Sequence, residues 1–88
     1  MPLIQKEIAV KNPQGLHARP AAMFVQIASK FNSHVTIQKE SEKVNGKSIM
    51  GILTLGAQKD CKVILEVNGE DAQEAFNELE ALLTKETL

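Results

Sequence analysis

Tryptophan and tyrosine are absent from this 88-residue chain, and three phenylalanines are its only Phe, Tyr or Trp residues. A surface built to stack nucleobases combines such rings with a basic face. Ten basic residues stand against eleven acidic ones, for a formal net charge of −1, and like charges form no run. These features exclude nucleic acid as the main partner. Cysteine is nearly absent too: Cys61 stands alone, so neither an internal disulfide nor a cysteine-based metal site can form. In the alternation Cys61, Val63, Leu65, Val67 it reads as a small core residue. No apolar run comes near the ~20 residues that a membrane-spanning helix needs, and MPLIQKEIAV lacks a signal peptide's apolar core. The expectations are a cytoplasmic monomer with no membrane contact, no metal and no cofactor. A length of 88 residues, 43% of them hydrophobic and 24% charged, fits a single globular domain over residues 1–88.

Apolar periodicity gives the elements. Residues 4–11 alternate with Ile4, Ile8 and Val10 on one face, as a strand does, until Asn12-Pro13-Gln14-Gly15 breaks the run. Ala21, Phe24, Val25, Ile27, Ala28 and Phe31 recur at helical spacing over residues 18–31. Residues 34–39 alternate as a second strand, and a short third strand is expected around residues 43–45. Residues 48–54 read as one or two helical turns ended by Gly56, although Gly51 weakens them. Residues 61–67 form the clearest strand. Asp71 with Glu74 resembles a capping box opening a last helix with the stripe Ala72, Ala75, Phe76, Leu79, Leu82 and Leu83. The order is βαββαβα, an α+β protein with one sheet and helices over one face. Pattern alone allows a ferredoxin-like sheet or a sheet of order 1-4-2-3.

One segment carries chemistry: Gly15-Leu16-His17-Ala18-Arg19-Pro20-Ala21-Ala22. Proline is tolerated in a helix's first turn, where amides lack intrahelical partners, so Pro20 places His17 at about the N-cap. The free amides of Ala18 and Arg19 and the positive end of the helix dipole suit an anion. Arg19 is the chain's only arginine, and its planar fork matches phosphate oxygens as a lysine cannot. Histidine forms covalent intermediates through a ring nitrogen. The expected site is therefore a nucleophile, His17, beside a phosphate cradle of Arg19 and the Ala18 and Arg19 amides. No Walker loop accompanies it, so the chain is not expected to use ATP itself. His34 has no neighbouring base or ligand and reads as structural or exposed.

GLHARPAA, followed by VQIASKF and VNGKSIMGILTLG, resembles HPr, the phosphocarrier of the bacterial sugar phosphotransferase system, over essentially the whole chain. The resemblance implies an open-faced β-sandwich: a four-stranded antiparallel sheet of order 1-4-2-3 with three helices on one face. It implies a phosphoryl carrier without turnover of its own. It further implies that His17 is phosphorylated at Nδ1 by Enzyme I with the help of Arg19, and that the group passes to sugar-specific IIA proteins. KSIMG implies a regulatory phosphorylation at Ser48, with an HPr kinase/phosphorylase as a further partner; on local physics Ser48 is first a helix N-cap. Gly46 departs from the family, where leucine or another larger residue is common, and is expected to loosen the turn entering the short helix. Ile49 and Ile52 are expected to face inward. Met50 and Leu53, with Ala22, would then form an apolar partner patch around His17, and Lys47 would add charge steering. The alternatives are an HPr-like protein acting in regulation through partner binding, or a nitrogen-branch carrier. Regulatory relatives lack the histidine, and this chain keeps it.

Overall fold

The computed structural model describes residues 2–87. Seven elements follow in order: β1 (Leu3–Ala9), α1 (Ala18–Ser29), β2 (His34–Lys39), β3 (Glu42–Asn45), α2 (Ile49–Leu55), β4 (Lys62–Asn68) and α3 (Ala72–Leu83). The four strands form one antiparallel sheet of order β1-β4-β2-β3. The three helices lie on one of its faces, so the fold is the open-faced sandwich and not the ferredoxin-like alternative.

Strand alternation decides which residues meet the helices. Val63, Leu65 and Val67 of β4 and Val35 and Ile37 of β2 pack beneath Ala21, Phe24 and Ala28 of α1 and Ala75, Leu79 and Leu83 of α3, all buried. The other face carries Gln5, Thr36, Lys43 and Glu66, with Gln5 Nε2 donating to Glu66 Oε1 at 3.2 Å. Cys61 falls just before β4, half-buried against the core and not within it, because the strand begins at Lys62.

Two local expectations are corrected. Asp71 is the N-cap of α3, but it makes no side-chain capping bond. Its carboxylate instead accepts from the Asn32 amide at 2.9 Å, the Ser33 amide at 3.0 Å and the Ser33 hydroxyl, tying the α1–β2 connection to the start of α3. The Ser33 hydroxyl and the Asn32 amide hold the Asp71 carboxyl below the usual carboxylate range. Gly46 does not loosen its turn. Its N–H donates to Val35 O at 2.7 Å, and a Cβ there would lie 2.4 Å from Val35 Cγ1 and 3.1 Å from Phe24 Cε1. The volume that a larger residue would occupy is filled by Val35 and the buried ring of Phe24.

Candidate functional site

The exit of β1 is built as a tight loop. Gly15 N–H donates to Asn12 O at 3.0 Å, closing a turn with Pro13 at its second position. Gly15 has φ +73°, and a Cβ on it would sit 2.5 Å from Ala57 O, so the loop can lie against the Ala57–Gln58 backbone only as glycine. Leu16, buried, donates its N–H to the same Ala57 O at 2.7 Å. On the other side, fully buried Asn12 donates its side-chain amide to Leu82 O at 2.8 Å and Lys85 O at 3.1 Å. The loop is thus pinned to the segment after α2 and to the end of α3.

That loop delivers His17 to the N-cap of α1, with extended backbone at φ −111° and ψ −162°. The first intrahelical bond runs from Ala21 N–H to His17 O at 2.9 Å, which leaves the Ala18 and Arg19 amides without intrahelical acceptors. Pro20 has no amide to satisfy. The imidazole does not cap the helix. Its Nε2 lies 3.0 Å from Gln14 Oε1, an oxygen that can only accept, so the contact suits the Nε2–H tautomer, in which Nδ1 keeps its lone pair. His17, Ala18 and Arg19 are all exposed.

His17 lies between two hollows. One, of about 340 Å³, is lined by Pro13, Gln14, Ala18, Arg19 and Pro20 as well as His17. The other, of about 440 Å³, joins His17 and Gln14 to Leu53, Gly56, Gln58 and Lys59, among others. Chemically the site offers an exposed ring nitrogen and two amides without intrahelical acceptors, with Arg19 lining one hollow and Lys59 the other. Among the described residues no group of three or more His, Cys, Asp or Glu side chains gathers to hold a metal. No helix among them is long and apolar enough to cross a membrane.

The remaining expected residues divide. Ser48 is the N-cap of α2, accepting from the Gly51 amide at 3.1 Å. Met50 is 65% and Leu53 38% exposed, pointing outward as expected, but Ile49 at 37% also faces out, leaving Ile52 and Leu55 to anchor the helix. Leu53 reaches the second hollow, whereas neither Met50 nor exposed Ala22 lines either one. Lys47 is committed elsewhere: its Nζ donates to Phe31 O at 2.7 Å, just beyond the end of α1, where a cation complements the helix dipole. The second hollow also has Lys59 in its lining, a residue that, like Asn12 and Gln14, is not among those the sequence motifs singled out for the site. The turn signature Asn-Pro-Gln-Gly places Gln14 near His17 from sequence alone, whereas nothing local marks Asn12 as an anchor to α3. His34 is exposed and starts β2, opposite Asn68.

The family model described as "PTS HPr component phosphorylation site" matches residues 4–85. The HPr-like protein Crh of Bacillus subtilis is 44% identical over 84 residues, covering 96% of this chain and 99% of that protein. Among solved structures, the phosphocarrier protein HPr of Bacillus anthracis superposes with a TM-score of 0.89 at 41% identity, covering 92% of this chain and 96% of the other. The crystal structure of Bacillus subtilis Crh follows the fold with a TM-score of 0.77 at 45% identity, covering 97% of this chain and 98% of the other. That Crh structure is an intertwined dimer with a swapped domain, and Crh is a dimer in the solid state as well. This overturns the expectation of a monomer. Swapping re-forms the same contacts between copies, so composition and hydropathy carry no trace of it.

Proposed function

The chain belongs to the HPr family of phosphocarriers, and we propose that it takes a phosphoryl group from phosphorylated Enzyme I onto His17 Nδ1 and passes it to sugar-specific IIA proteins. One observation carries this reading: Nδ1 of an exposed His17 is free of hydrogen bonds to the described residues at a helix start whose first two amides have no intrahelical acceptor, with Arg19 beside it. Phosphoryl transfer asks a protein chiefly for alignment and for donors where charge spreads over the equatorial oxygens. The Ala18 and Arg19 amides supply fixed donors, and the guanidinium supplies a planar fork. A phosphoryl group on a ring nitrogen is easily passed on, which suits a relay better than a serine ester. The single-domain chain acts without turnover of its own, in the cytoplasm.

Ser48 is a second, regulatory phosphorylation site for an HPr kinase/phosphorylase. Its hydroxyl stands directly before exposed Ile49 and Met50, so an added phosphate places ~1.5–2 negative charges beside the apolar surface that meets partners. The match to Crh favours a second reading, in which regulation through partner binding is the main role and the chain works as a dimer. Retention of His17 favours the carrier.

The test is incubation with Enzyme I, phosphoenolpyruvate and Mg²⁺ followed by intact mass measurement. One acid-labile phosphoryl group is expected, absent from His17→Ala and kept in His34→Ala. Undiminished labelling of His17→Ala would overturn the carrier assignment.

A further inference from the structure

Neutral imidazole carries one proton on two nitrogens, and only the unprotonated nitrogen can attack phosphorus. In water a free ring exchanges between its tautomers and turns about its χ2 bond. His17 is exposed, so burial does not restrain it; what restrains it is the bond from Nε2–H to Gln14 Oε1 at 3.0 Å. A carboxamide oxygen accepts only, so this contact selects the Nε2–H tautomer. Gln14 is exposed, but its backbone is held. It occupies the third position of the turn closed by Gly15 N–H to Asn12 O at 3.0 Å. One end of that turn is anchored through buried Asn12 to Leu82 O and Lys85 O, the other through Leu16 N–H to Ala57 O.

We propose that Gln14 is a positioning residue for transfer at His17, holding the ring in the tautomer and orientation that present the Nδ1 lone pair. The proposal rests on the phosphocarrier reading. As the Nδ1–phosphorus bond forms, the donor's nitrogen–phosphorus bond breaks and its electron pair stays on the donor nitrogen. The Nε2 proton does not leave. The ring gains positive charge, so the bond to Gln14 Oε1 becomes charge-assisted as transfer proceeds. An interaction stronger in the transition state than in the resting protein accelerates the step.

The experiment compares wild type, Gln14→Leu and Gln14→Glu by two readouts: ¹⁵N spectra of the unphosphorylated imidazoles, with His34 as internal reference, and the pH dependence of phosphorylation by phospho-Enzyme I. Wild type should show His17 mainly as the Nε2–H tautomer. Gln14→Leu should show mixed tautomers and transfer about two- to tenfold more slowly at saturation, the scale of one hydrogen bond, with KM unchanged. Gln14→Glu restores an acceptor and should keep the tautomer. Its carboxylate favours the imidazolium, so the midpoint of its pH–rate profile should move upward. The charged groups sharing the two hollows with His17, Arg19 and Lys59, are the same in all three proteins. A Gln14→Leu protein with the wild-type tautomer and rate overturns the proposal, as does an unmoved midpoint in Gln14→Glu. If wild type itself is never labelled, the carrier reading fails, while the tautomer comparison still decides what Gln14 does.

Discussion

Asn12 donates its side-chain amide to the Leu82 carbonyl at 2.8 Å, joining the loop before His17 to the last turn of α3 across 70 residues of chain. Asn12 is fully buried, its Oδ1 has no partner among the described residues, and its Nδ2 makes both of its bonds, to Leu82 O and Lys85 O. Asn12→Ala leaves the Leu82 carbonyl of α3 and the Lys85 carbonyl just after it without that donor and should cost about 1–3 kcal/mol. Urea unfolding measures the loss. Hydrogen exchange should quicken at residues 11–16 more than in the sheet.

Arg19→Lys should slow phosphoryl transfer in both directions by ~1–4 kcal/mol in barrier, because a point charge cannot reproduce a planar fork beside the transferring group. Arg19 is exposed and makes no hydrogen bond to the described residues, so the melting temperature should stay at the wild-type value. Initial rates with phospho-Enzyme I, forward and reverse, check this. A wild-type rate would reduce Arg19 to a solvated surface residue.

Ser48 caps α2 through the Gly51 amide at 3.1 Å, so Ser48→Ala should lose about 1 kcal/mol of stability and transfer normally. Ser48→Asp keeps an acceptor at the cap while placing charge beside Met50, 65% exposed. It should melt close to wild type and raise the apparent KM for Enzyme I, by repulsion of an acidic partner. Transfer by Ser48→Asp at the wild-type KM would leave Ser48 a helix cap.

Gly46→Leu should destabilise the protein by about 1–3 kcal/mol, the usual scale for overpacking. The new Cβ meets Val35 Cγ1 at 2.4 Å. Adding Val35→Ala to Gly46→Leu should recover part of that loss. Thermal melts of the two variants and the combination give the coupling, which should be favourable.

The Asp71 carboxyl is held below its ordinary range by the Ser33 hydroxyl first and the Asn32 amide next. Its contribution is therefore complete above the unfolded carboxylate pKa and disappears as pH falls through the depressed folded value. Asp71→Asn should flatten the acid limb of the stability curve below about pH 4, leaving less difference between the proteins at lower pH. Denaturant midpoints from pH 2 to 7 test it. Unchanged curves would show that the Ser33–Asp71 contact contributes nothing in solution.

The sequence by itself determined the elements, the buried face of each strand and long helix, the N-cap positions of His17 and Ser48, and the outward direction of Met50 and Leu53, though not that Ile49 also faces out. All of these follow from local rules: alternation of 2.0 or 3.6 residues, proline's missing donor, and glycine's freedom at positive φ. Tertiary structure decided the rest. It bore out the 1-4-2-3 sheet that the family resemblance implied and that periodicity alone left open, because strand neighbours depend on contacts between residues distant in sequence. It turned Asp71 away from its own helix toward Ser33, and it turned Lys47 from a partner surface to the Phe31 carbonyl, because each polar group goes to the strongest partner the packing offers. It put Lys59 in the lining of a hollow that His17 shares and clasped Asn12 to α3. Gly46 shows the same division: its lack of a side chain is visible in sequence, but its reason is the volume that Phe24 and Val35 fill from two other elements.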